Sequence, residues 1–203
     1  MIRNQMIDIF GAMWPTIAIS MVILISMRVV YIFKNKKELI IYRELFSLLF
    51  IIYILCLFYI VTFQDVSWST SNYVPFHEMF RYQFGSRLFI KNVIGNMLLF
   101  VPYGFFAAYI LKLERPRAVI ILSLLVSITI ELTQLSIGRV FDIDDIILNF
   151  VGAMLGYYIY HLMDKINHLL PSVMKKPIVY NIVMVILLGL AIAYLIGVLE
   201  FGV

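Results

Sequence analysis

Long apolar runs separated by short polar segments dominate the chain, and their lengths predict its elements. Runs at residues 9–27, 45–63, 93–111, 118–137, 146–163 and 178–199 each approach the roughly 20 helical residues needed to cross a hydrocarbon core about 30 Å thick. The pattern therefore predicts an all-α fold: a polytopic transmembrane helical bundle of about six membrane-spanning helices, forming a single transmembrane domain over residues 1–203. Arg3 precedes the first run, but no small-residue cleavage site follows it. The run ends in Arg28, Lys34, Lys36 and Lys37, which reads as a retained helix with a stop-transfer flank rather than a signal peptide. Within the third run, Pro102 has no N–H for the carbonyl of Leu98, which predicts a kink or local opening. The connection over residues 64–91 carries Trp68, Tyr73, Phe76, Phe80, Tyr82 and Phe84, the density expected of a segment lying at the membrane interface. Contact with a substrate is the alternative role for that loop.

Composition sharpens this picture. The chain is 63% hydrophobic and only 14% charged, with a mean hydropathy of +0.98, against about 25% charged residues in soluble domains. Six crossings leave no room for a separate soluble domain. The net charge of +4 does not imply nucleic acid, because the basic residues sit in short flanking runs rather than along one polar face. Cys56 is alone, so neither an intrachain disulfide nor a paired-cysteine metal site is expected. Arg28 at the end of the first run apart, the connections after the first, third and fifth runs hold ten Lys and Arg: Lys34, Lys36, Lys37 and Arg43, then Arg115 and Arg117 with Lys112 at the edge, then Lys165, Lys175 and Lys176. The opposite side holds five: Arg3, Arg81, Arg87, Lys91 and Arg139. The positive-inside rule then puts both termini, and the 64–91 loop, on the extracytoplasmic side.

Polar residues interrupt the apolar pattern mainly between Asn92 and Gly156. Asn92 and Asn96 share a helix face, as do Glu131 and Gln134. Asp142, Asp145, Asn149, Gly152 and Gly156 continue such a stripe, and the last two form a Gly-x-x-x-Gly pair that lets a neighbouring helix approach closely. An ionisable group at bilayer depth costs roughly 3 kcal/mol and usually faces a partner, a bundle interior or a water-filled cavity. The predicted topology brings these stripes together just below the outer surface. Candidate ligand-binding residues are therefore Asn96, Glu131, Gln134, Arg139, Asp142, Asp145, Asn149 and Arg87, the two arginines suiting an anionic group. Structural roles compete. Asp144 or Asp145 could cap the following helix, the asparagines could bond between helices, and Glu131 could form an ion pair with Arg139. Asp142, Asp144, Asp145 and Glu131 could also divide acid and base roles or hold Mg²⁺. No nucleophile stands beside an evident base, however, and His161 and His168 fall on the other side, leaving only His77 in the aromatic loop. Metal-dependent hydrolysis is thus the minor reading, and no catalytic residue, metal or cofactor is assigned.

The motifs also carry a likeness. Asn92-Val-Ile-Gly-Asn96-Met-Leu-Leu-Phe100-Val-Pro102-Tyr-Gly104, Glu131-Leu-Thr-Gln134, Arg139, and Asp142-Ile-Asp-Asp145-Ile-Ile-Leu-Asn149-Phe-Val-Gly152-Ala-Met-Leu-Gly156, with Val74-Pro75-Phe76 upstream, resemble the VanZ-like membrane protein family, named for a teicoplanin-resistance accessory factor. The resemblance covers residues 75–156. It implies that the family's polar positions fall on Asn96, Glu131, Gln134, Arg139, Asp145 and Asn149. It also implies a bacterial cytoplasmic membrane and, as partner, a membrane lipid, an envelope glycolipid or a lipoglycopeptide antibiotic. A membrane enzyme acting on lipid-linked envelope material is one alternative. A proton-coupled transporter is another, given a broken helix at Pro102 beside buried acids.

Overall fold

The computed structural model describes the backbone of residues 2–63 and 71–201 and the side chains of residues 11–62 and 71–189. It is 80% helical, and among the described residues the only strand-like feature is an isolated parallel bridge between Asn72 and Asp142. In chain order the helices are α1 (Ile2–Lys34), α2 (Ile41–Phe63), the short α3 (His77–Arg81), α4 (Arg87–Leu111), α5 (Pro116–Ser136), α6 (Ile143–Leu169) and α7 (Pro177–Phe201). Within α4, Ile90–Ile94 forms a π-helical turn.

Five stretches are long and apolar enough to cross a membrane: Gly11–Lys34, Ile41–Thr62, Arg87–Leu111, Pro116–Ser136 and Ile143–Leu169. They match the first five apolar runs, and the chain is an all-α, multi-pass membrane protein. The sixth expected crossing, residues 178–199, coincides with α7. Its described apolar part is Pro177–Gly189, and the remainder lies outside the residues whose side chains are described. Residues 64–70 of the expected interfacial loop also lie outside the described residues.

Local sequence explains the helix ends. Ser86 begins α4 by accepting the Phe89 N–H at 3.1 Å, a cap that starts the helix six residues before the apolar run. The helix therefore takes in Arg87 and Lys91, which the apolar pattern leaves in the loop. Pro116 opens α5 at its first turn, where its missing N–H costs nothing. Gly138, at φ 82°, turns the chain out of α5, and the N–H of Arg139 then bonds back to the Gln134 carbonyl at 2.9 Å. The irregular turn in α4 lies at Ile90–Ile94, and the helix continues through Pro102. The Tyr53 hydroxyl donates to the Leu99 carbonyl at 2.8 Å, one position past the carbonyl that Pro102 leaves without an N–H.

The chain forms two compact units, residues 1–14 with 52–164, and residues 15–51 with 165–203. In the first, Phe100, Ala108, Val119, Ala153, Leu57, Tyr103 and Tyr157 form the core. Helices α4 and α6 touch backbone to backbone there. A Cβ on Gly152 would collide with the Met97 carbonyl, one on Gly156 with the Val101 carbonyl, and one on Gly104 with the Ala153 backbone. The Gly-x-x-x-Gly pair thus lies in a close helix contact. Helix α5 buries Val119, Ser123, Ser127 and Glu131, every fourth residue, while Ile121, Leu125, Ile128 and Leu132 are exposed. Small and polar groups inside with branched apolar groups outside is the partition expected where lipid is the solvent. In the second unit, Arg28 forks onto Glu44 at 2.8 and 3.0 Å. Asn181, the polar residue at the start of α7, accepts the Tyr42 N–H of the first turn of α2 at 2.9 Å, satisfying a donor that a helix start otherwise leaves free.

Candidate functional site

The first unit contains a cleft of about 700 Å³ where the start of α4, the end of α5, the start of α6 and the end of α2 meet. Its wall includes Asn92, Asn96, Glu131, Gln134, Arg139, Asp142, Asp144, Asp145 and Asn149, together with Leu57, Ile60, Val61, Leu99 and Phe100. Seven of the eight candidate residues are therefore in the wall. Arg87 is not; it is exposed in the first turn of α4, and Arg81 and Lys91 stand in the wall instead.

The polar stripes join helix to helix. Asn96 on α4 donates through Nδ2 to Asp145 Oδ1 on α6 at 2.5 Å, and Asn149 donates to the Ser127 hydroxyl of α5 at 2.9 Å within the buried interior. Glu131, only 1% exposed, accepts the Asp142 N–H at 2.8 Å. It is not ion-paired with Arg139 among the described residues. Gln134 lies between them: with its amide turned to satisfy both neighbours, it donates to Glu131 Oε1 at 3.0 Å and accepts from Arg139 Nη1 at 3.3 Å. The guanidinium also donates to the Val61 carbonyl at 2.5 Å, closing the C-terminal end of α2. An amide bridge is the geometry an eight-residue separation across a turn permits when the loop backbone occupies the carboxylate first.

Three neighbouring aspartates divide three tasks. Asp142 caps α6, its Oδ1 accepting the Asp144 N–H at 2.9 Å and the Asn72 amide at 2.9 Å. The cap thus lies two residues before Asp144 and three before Asp145. Asp144, 1% exposed, instead accepts the backbone N–H groups of Phe76, Glu78 at 2.8 Å and Met79 at 3.0 Å, clasping the start of α3. Asp145 faces Asn96. Burial raises the Asp142 carboxyl above its ordinary value, opposed by the hydrogen bonds from Asn72 and Asp144 and reinforced by the charges of Asp144 and Glu78. The Asn72 backbone pairs with Phe141 and Ile143 at 2.8 and 3.0 Å, and Tyr73 stacks on Phe141 with ring centroids 5.3 Å apart. The segment leading into α3 is fixed to the segment leading into α6.

Sequence reasoning missed Asn72, Ser127 and the clasp made by Asp144. Ser127 had a signal, the four-residue spacing of Ser123, Ser127 and Glu131 on an otherwise apolar helix. His77 is exposed and only 3.4 Å from Glu78 on its own helix. Among the described residues, no three His, Cys, Asp or Glu side chains are grouped to hold a metal ion.

Comparison with known proteins gives a family model described as VanZ/LLP1 that matches residues 50–164. No curated protein and no solved structure matches the chain. The matched span contains every residue of the cleft wall, and the chain belongs to the VanZ-like family.

Proposed function

From membership of the VanZ-like family, we propose that this protein engages an amphiphilic component of the cell envelope, or a lipoglycopeptide, at the outer face of a bacterial cytoplasmic membrane, contributing tolerance of the teicoplanin type. The observation that carries the reading is the mixed wall of the cleft. Carboxylates, amides and the Arg139 guanidinium lie beside Leu57, Ile60, Val61, Leu99 and Phe100 where the ends of four spanning helices meet. Such a wall complements a headgroup of peptide or sugar, rich in both donors and acceptors, joined to an acyl chain. The excess of basic residues at the other helix ends supports the outward orientation. Among the described residues Arg139 uses only Nη1 on its protein partners, which leaves the rest of its fork to serve a carboxylate or phosphate of the ligand.

Expression in a susceptible Gram-positive host tests this. Tolerance to teicoplanin, which carries an acyl chain, rises more than tolerance to vancomycin, which lacks one, and the peptidoglycan stem peptide is unchanged. Arg139→Ala abolishes the difference and Arg139→Lys retains part of it. Equal tolerance to both drugs, or an altered stem peptide, refutes engagement at the surface and points to an enzyme that remodels the drug target.

A further inference from the structure

At the opposite end of α4 and α5 from the cleft, the connection between them forms a shallow, open concavity of about 450 Å³ lined by Lys112, Leu113, Glu114, Arg115, Arg117 and Ala118. Its charged residues are three cations and one carboxylate. None of the three cations has a hydrogen bond or ion pair among the described residues, and all three are exposed. The backbone beneath them is held firmly. Lys112 takes the left-handed conformation at φ 50°, and the Leu113 N–H bonds back to the Ala108 carbonyl at 3.2 Å. From α6, the Tyr157 hydroxyl donates to the Glu114 carbonyl at 2.9 Å, and His161 Nε2 meets the Leu113 carbonyl at 2.9 Å. Two side chains of one helix thus fix the turn from which the cations project. Here the basic residues border a shallow, open depression at the level where the apolar helices end, beside the exposed Leu111 and Ile121.

We propose that this hollow binds the phosphate headgroup of an anionic phospholipid in the adjacent leaflet, at a site separate from the cleft. Lys112, Arg115 and Arg117 neutralise the phosphate, with the two guanidinium forks supplying paired donors. The acyl chains extend along the exposed apolar faces of α4 and α5, where Ile110, Leu111, Ile121 and Leu125 lie. The site does not depend on what occupies the cleft.

The full-length protein, purified in detergent and mixed with dioleoyl phosphatidylglycerol or dioleoyl phosphatidylcholine, tests this by native mass spectrometry. The wild type retains phosphatidylglycerol in preference to phosphatidylcholine. The Arg115→Gln/Arg117→Gln double variant loses roughly thirtyfold in phosphatidylglycerol affinity, equivalent to about 1 kcal/mol for each cation removed at the surface. Lys34→Gln/Lys36→Gln, which removes the same charge from another basic flank, keeps wild-type affinity, and Arg115→Lys/Arg117→Lys keeps most of it. Thermal unfolding of each variant in the same detergent reports that the fold is intact. Equal retention of the two lipids by the wild type, or equal losses in the Arg115/Arg117 and Lys34/Lys36 variants, overturns the site. Displacement of the lipid by free glycerol phosphate at equal concentration overturns its assignment to a lipid headgroup.

Discussion

Replacing Glu131 separates a bridged network from an ion pair. The side chain is 1% exposed and uses both oxygens, one for the Asp142 N–H at 2.8 Å and one for the Gln134 amide at 3.0 Å. Glu131→Leu removes both acceptors and leaves donors stranded in a half-buried site. At about 1 to 3 kcal/mol for each stranded group, the loss is about 3 kcal/mol, a large part of the 5–15 kcal/mol that typically holds a domain folded. Glu131→Gln keeps an acceptor for Asp142 and loses one hydrogen bond, about 1 kcal/mol.

The exchange variant Glu131→Arg/Arg139→Glu is the decisive one. If opposite charges alone mattered, exchanging them would restore stability. An arginine at 131 has no acceptor for the Asp142 N–H, and a glutamate at 139 cannot donate to the Val61 carbonyl. The exchange should therefore be at least as unstable as Glu131→Leu. Thermal unfolding followed by size-exclusion chromatography with fluorescence detection measures the series in one detergent. Recovery of half or more of the single-variant loss in the exchange variant would refute the bridged network. Glu131→Gln, folded at near wild-type yield, should lose teicoplanin tolerance; full tolerance would remove Glu131 from the binding surface.

Burial raises the folded-state pKa of Asp142, so its contribution to stability is fully present below the ordinary carboxylate value of about 4 and is lost as pH rises through the raised folded value. Asp142→Asn keeps the acceptor for Asn72 and the Asp144 N–H without the charge, so its melting temperature relative to wild type should climb between pH 4 and 8; a falling difference contradicts this. Asp144→Ala strands the N–H groups of Phe76, Glu78 and Met79 and should cost about 3 kcal/mol, with faster limited proteolysis at residues 72–81 as the direct readout and unchanged cleavage there as the contrary result. In a Cys56→Ala background, an impermeant thiol reagent on intact cells should label Tyr73→Cys and spare Ser172→Cys, and the reverse pattern would invert the orientation.

What could be read from the sequence follows the range of each physical signal. Crossing helices are specified locally, by about twenty consecutive residues, so the apolar runs located five of them within a few positions. The error at α4 arose from using hydropathy alone. Arg87 and Lys91 interrupt the apolar run but not the helix, and the Ser86 cap that marks the true start is a hydrogen-bonding signal. Stripes at three- and four-residue spacing were also legible, because a helix repeats its face locally. The partners across helices, Asn96 with Asp145 and Ser127 with Asn149, depend on how α4, α5 and α6 are rotated and staggered. That rotation is set by the backbone contacts at Gly104, Gly152 and Gly156, and one sequence does not state which small residue meets which carbonyl.

The aspartates show the limit most clearly. Asp142, Asp144 and Asp145 are the same side chain within four positions, and composition cannot distinguish them. Position N-terminal to the helix makes Asp142 a cap, whereas successive helical residues are rotated by about 100° from each other. That rotation alone turns Asp144 toward the incoming segment at Phe76–Met79 and Asp145 toward Asn96. Two of the three carboxylates thus hold the walls of the cleft in place, and Asp145 stands at the junction between wall and interior. Substitutions that remove the acceptor at Asp142 or Asp144, such as alanine, should accordingly lower folded yield together with tolerance, whereas Arg139, whose guanidinium is only partly engaged among the described residues, is where tolerance should fall while the fold persists.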